Sequence, residues 1–281
     1  DAGFKSINLF TLMLLKGSNM ATDESREKYG MVSRYRILPR CFGSYQVLGE
    51  RITTAEVEEV CVANKSLSFD DYIACRRFHL VVAIFYNDGI FGSLIKLLRG
   101  LKLSIFRWFE ILSEIELPKG LKKIFNSFEN DTREELWESS EYLKAFIQQP
   151  GTVEKYLSGK LGFNLLSVHR TIAIIENLDD MVHLVRVSIT RYLNEVDCSS
   201  PENLKFIDDA LQYHRARLID VFSQNDTDPT VTMSYNIFEY ENNDIPESID
   251  NHRLKEPASF RFRLKEEQKT SMARLLDVYG H

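Results

Sequence analysis

Apolar and polar residues change their spacing repeatedly along this chain, and each change predicts a different kind of structure. Residues 6–15 are almost all apolar, which predicts a short strand buried on both faces of a parallel sheet. The polar stretch 21–30 predicts a surface helix, with Thr22 as N-cap, Ser25 three residues on and Gly30 at the C-terminal end. From Met31 to Asn64 short apolar runs are broken by Pro39 and Gly43, so irregular, partly extended chain is expected. Ser68 followed by Asp70 and Asp71 then opens a long helical region. Its core helix is centred on residues 78–86.

Helical spacing continues to about Phe222. Breaks are expected at residues 87–89, Gly100, 118–120, 130–131, 150–151, Gly162 and 199–201, with a capping box at Asp131–Glu134. Leu165, Val168, Ile172, Ile175 and Leu178 recur at three- and four-residue steps and predict one core-facing stripe. Two alternating runs, 231–240 and 259–264, predict a small ribbon, and residues 265–279 a closing helix.

With 281 residues, 44% hydrophobic and 27% charged, the chain has the composition of a globular protein. A net charge of -6 and a pI near 5.6 argue against a nucleic-acid partner, since that affinity comes from clustered Lys and Arg. The most apolar stretch falls short of the roughly 20 residues that span a bilayer, so no membrane role is expected. Asp1 and the apolar run behind it suggest a chain that begins inside a domain and is not exported, so the N-x-[ST] matches at Asn64, Asn130 and Asn225 are read as chance. Cys41, Cys61, Cys75 and Cys198 match no close-spaced metal signature and read as free packing thiols.

Motif searches narrow the chemistry further. Neither G-x-x-x-x-G-K-[ST] nor G-x-G-x-x-G after a strand is present, and the six histidines form no i, i+4 ligand pair. Glu134–Glu135 and Asp179–Asp180 are adjacent carboxylates, which diverge by about 100° on a helix and read as solvated faces. Arg34, Arg36, Arg40 and Arg51, interleaved with Tyr35 and Tyr45, form one basic and aromatic stretch suited to holding a carboxylate or phosphate, or to forming salt bridges.

Five short stretches carry a family resemblance. Residues 3–18, GFKSINLFTLMLLKGS, resemble the last barrel strand and adjoining turn of radical-SAM proteins, with Lys16 where Pro is common. Residues 26–31 and 35–45, then 68–72 and 76–80, are similar to the region C-terminal to that strand in large cobalamin-binding radical-SAM proteins. Together they cover roughly the first third of the chain.

The resemblance implies a truncated α/β-barrel edge (1–65), and the residue patterns beyond it predict a mainly α-helical domain (66–222) and a β-ribbon with a terminal helix (223–281). It implies a cytoplasmic parent enzyme that uses S-adenosylmethionine and a [4Fe–4S] cluster, with cobalamin as a further candidate cofactor. That parent would generate a 5′-deoxyadenosyl radical and then transfer a methyl group or rearrange an unidentified small molecule. The family's C-x3-C-x2-C motif is absent here, so the chain by itself is expected to be inactive and to need the missing N-terminal part of the same polypeptide as its partner. By the same resemblance Leu14, Leu15 and Gly17 would line the S-adenosylmethionine pocket, and Arg36 and Arg40 would meet substrate. The competing reading is a non-enzymatic helical interaction module.

Overall fold

The computed structural model describes residues 4, 6–159, 161–222, 228–243, 247–263, 265 and 267. They fold into two compact units, each drawn from separate stretches of chain. The first comprises Asn8–Leu80 and Ile124–His169, and the second the described residues of 1–7, 81–123 and 170–281.

In the first unit, α1 (Asp23–Tyr29) forms as its caps predict. Thr22 Oγ1 accepts the Ser25 amide, and Gly30 ends the helix in the left-handed conformation (φ 59°, ψ 45°). The irregular chain expected over 31–64 is instead one long antiparallel hairpin, β1 (Val32–Val47) and β2 (Glu50–Ala63). Its turn is Leu48–Gly49, both at positive φ (50° and 89°), which matches the right-handed twist of the strands. Pro39 does not break the hairpin because it falls in a bulge. Ile37 pairs with Val57 and Phe42 with Ala55, so Leu38, Pro39, Arg40 and Cys41 all lie opposite Glu56.

The hairpin is covered on both faces at its base. Val60 and Val62 pack with Tyr72, Ile73 and Leu136, while Ile37 packs with Leu143, Ile147 and Val153. These partners come from α2 (Phe69–Phe85), from Leu136 in the connection before α6, and from α6 (Ser140–Ile147) and α7 (Thr152–Leu157). Both edges are also occupied. Trp137 exchanges backbone hydrogen bonds with Tyr35 on β1, and on β2 the Leu14 amide donates to Glu59 O while Leu12 O accepts from Cys61.

The buried strand expected over residues 6–15 is not formed, and no barrel is present among the described residues; β1 and β2 make only a two-stranded sheet. Met13 makes an isolated bridge to Val60. Leu14 is buried, but Leu9, Phe10, Leu12, Met13 and Leu15 are exposed. A strand needs neighbours on both sides to be enclosed, and this segment has one.

The helical reading holds with local corrections. Ser68 and Asp71 cap α2 reciprocally. Between α2 and α3 (Gly92–Gly100) the chain turns at Asp88 (φ 61°), and α4 is Ile105–Glu114. No break occurs at 130–131: α5 runs Lys119–Glu134, and Asp131–Glu134 is not a capping box. Thr132 is fully buried there with its hydroxyl on Phe128 O, and Asp131 meets His169 at 3.0 Å. Nor does the apolar stripe of 165–178 face the core as one row. α8 (Leu165–Glu176) buries His169, Ala173 and Ile174, leaves Ile175 exposed, and is separated from α9 (Leu178–Glu195) at Asn177.

The second unit is built around α3, α4, α9 and α10 (Pro201–Phe222). Trp108 is fully buried and donates to Ser188 Oγ at 2.9 Å. β3 (Thr230–Tyr235) pairs antiparallel with β4 (Arg253–Arg261), giving the expected ribbon. Its first strand stops early, however, because residues 237–242 form a short helix, α11 (Ile237–Asn242), capped by Asn236. Asp209, fully buried, joins α10 to β3 by accepting the amides of Ser234 and Tyr235 and pairing with Lys205 at 2.7 Å. The predicted closing helix falls almost wholly outside the described residues.

Candidate functional site

The densest group of buried polar side chains in the first unit lies where one face of the hairpin meets α2. Arg36 and Glu58 are directly opposed in the ladder, on the face that also carries Val60 and Val62. The guanidinium of Arg36 binds Glu58 through Nε and Glu135 through Nη1, the latter at 2.7 Å. Burial works against the charge of Arg36, but Glu135 and Glu58 outweigh it and hold the group firmly cationic. Glu135 is therefore drawn onto this cluster and is not one of a solvated pair.

Tyr72, Arg76 and His79 succeed one another at steps of four and three residues on α2, so they share one side of the helix. Tyr72 and Arg76 are each more than nine-tenths buried. The Tyr72 hydroxyl, Arg76 Nε, His79 Nδ1 and Glu58 Oε2 are all fully enclosed without a hydrogen-bond partner. Burial pushes the Tyr72 phenol up, so it remains a donor at neutral pH. Burial lowers the Arg76 value, with Arg36 adding repulsion and Tyr72 and Glu135 opposing it. Burial, then Arg76, pushes His79 down to about 4, so its imidazole is neutral at pH 7. The Phe128 ring stacks below Arg76, its centroid 5.5 Å from the guanidinium carbon.

Leu14 and Arg36 reach neighbouring residues of β2: the Leu14 amide bonds Glu59 O, and Arg36 binds the Glu58 carboxylate. Leu15 is exposed, and Leu15 O accepts from Ser18 across a turn that includes Gly17 (φ 86°), whose surroundings are open. Arg40 is exposed in the bulge at φ 66°, and no ion pair to it is formed among the described residues. Arg34 and Arg51 are engaged locally, by Glu138 and by Ser44. The basic stretch thus separates into one buried ion-pair centre and several surface positions. Tyr72 and Arg76 have no sequence signature beyond their spacing on α2, and only the folded chain brings them within electrostatic reach of Arg36.

A second buried polar centre lies in the other unit. Ser93 Oγ is 2.6 Å from His214 Nε2, and Glu241 Oε2 is 3.9 Å from the same nitrogen. A nucleophile triad would place the carboxylate on the opposite ring nitrogen, and both Ser93 and His214 are fully buried. Burial, then Arg217, keeps His214 well below its ordinary range. Arg217 spans Glu241 and Gly89 O, both at 2.9 Å, which makes this centre a structural tie. A cavity of about 370 Å³ lined by Phe4, Tyr86, Asp88 and Arg99 lies in the same unit, with Arg99 donating to the Tyr86 hydroxyl.

The cysteines sit apart, on β1, β2, α2 and the loop before α10. No group of three His, Cys, Asp or Glu is placed to hold a metal ion among the described residues, so these residues do not fit an iron–sulfur cluster. No single described helix is long and apolar enough to cross a membrane. The chain matches no model of a known protein family and no curated protein.

Proposed function

We propose that this chain is the C-terminal part of a radical-SAM enzyme, in which the segment before α1 and the hairpin complete the edge of a barrel supplied by the rest of the polypeptide. The observation that carries this reading is the exposed apolar segment. Leu9, Phe10, Leu12, Met13 and Leu15 lie open beside β2, held by two backbone hydrogen bonds, in the stretch whose sequence resembles the family's last barrel strand. A neighbouring strand on the free side would enclose that surface and pair its backbone.

In this reading the [4Fe–4S] cluster and most of the S-adenosylmethionine site belong to the preceding part of the barrel. Leu14, Leu15 and Gly17 contribute backbone and apolar contact to the adenosine end. The exposed Arg40 is then the better placed of the two arginines for substrate, because Arg36 is held by Glu58 and Glu135. The parent works in the cytoplasm on a small molecule, by methyl transfer or rearrangement, with cobalamin as a candidate second cofactor.

The test begins with the reading frame upstream of Asp1. An in-frame C-x3-C-x2-C, together with 5′-deoxyadenosine formation when the whole gene product is reduced anaerobically with S-adenosylmethionine, is the expected result. A frame without that motif overturns the proposal and leaves the helical interaction module as the working description.

A further inference from the structure

Arg76 makes neither an ion pair nor a hydrogen bond with any described residue, although it is more than nine-tenths buried. Arginine does not escape burial by losing its proton, so a buried guanidinium normally has an anionic partner. Of its three nitrogens only Nε is fully enclosed; the terminal pair, equally without a partner among the described residues, keeps a trace of surface. The Phe128 ring lies against the guanidinium and offers it no hydrogen-bond acceptor in the plane of the fork. One turn earlier, the enclosed Tyr72 hydroxyl is a second donor without an acceptor.

We propose that the Arg76 fork is a receptor for the carboxylate of a small molecule, bound through the two terminal nitrogens in the paired geometry that guanidinium and carboxylate share. The local charges argue for a monoanion. Arg36 and Arg76 are balanced by Glu58 and Glu135, so a carboxylate leaves one excess negative charge, whereas a phosphate dianion leaves two and faces both glutamates. This site is independent of the radical-SAM reading, since it uses only the hairpin, α2, α5 and Glu135 just beyond it.

The test tracks the Nε–Hε resonance of Arg76 by NMR in the full 281-residue chain while sodium acetate, and separately inorganic phosphate at pH 7.5, is added at constant ionic strength. A saturable shift with acetate is expected, with phosphate at least about tenfold weaker. In Arg76→Lys, which keeps the charge but not the fork, acetate affinity read from the His79 ring protons should also fall about tenfold. Arg76→Met should show no saturation. Absence of an acetate-dependent shift in the wild-type chain, tighter binding of phosphate, or unchanged affinity in Arg76→Met would each overturn the proposal and leave Arg76 as a cation solvated by enclosed water. Should Arg76→Met fail to fold, the wild-type titration alone decides.

Discussion

His79 shows how one side chain's surroundings set a property of the whole protein. Its folded-state value lies near 4, below the ordinary 6.5, so between those limits the unfolded chain binds a proton that the folded chain does not. Stability should therefore fall as pH drops from about 6.5 to about 4. In His79→Gln, urea unfolding at pH 7 and pH 5 should show a smaller loss than in the wild type, and an identical loss would mean that His79 is solvated. Leu80, on the same helix and wholly buried, acts through volume. Leu80→Ala should cost about 2–5 kcal/mol in the same measurement, through lost burial and an unfilled cavity. His79 is visible in the sequence as a lone histidine on an apolar helix, but the cause of its shift is not, since Arg76 matters here only because both groups are enclosed.

Elements were legible wherever short-range chemistry decides them. Thr22, Ser68 and Gly30 mark helix ends, and the alternation at 231–235 marks a strand, because caps and local periodicity act over a few residues. The hairpin was not legible, because Pro39 and Gly43 read as breaks until the bulge opposite Glu56 shows how the ladder absorbs them. Its turn is also disguised, since Leu48 occupies a left-handed position that usually selects Asn, Asp or Gly, and its side chain is fully exposed. Leu48→Asn should accordingly raise stability by about 1 kcal/mol, seen as a higher urea midpoint at unchanged m; a lower midpoint would show that the tip packs in solution. α8 misled for the opposite reason. Its buried row includes His169, whose partner Asp131 lies on α5 and is remote in sequence. Of the candidate site only the Arg36 region was visible; Tyr72, Arg76 and Glu135 reach it through the pairing of distant segments.

At the scale of the molecule, protection should be uneven. The amides of Leu9 and Phe10 have no hydrogen-bond partner among the described residues, while Val60 is fully buried and paired with Arg34 in the hairpin ladder. Hydrogen exchange should be orders of magnitude faster at Leu9 and Phe10 than at Val60. In the whole gene product of the proposed parent, both positions should become protected, and equal rates in this chain would show that the segment is already enclosed. A last consequence concerns the adjacent carboxylates of β2. Glu58 meets Arg36 on one face, and Glu59 meets Arg26, at 2.6 Å, and Ser33 on the other. A slip of one residue would exchange the faces and bring Val60 and Val62 out of the core. A slip of two would restore the faces and could offer Glu56 to Arg36, but it would set Val57 or Cys61 where Arg26 needs an acid. Two neighbouring charges thus serve as a parity bit and a place digit, and together they allow the two strands of this long hairpin a single alignment.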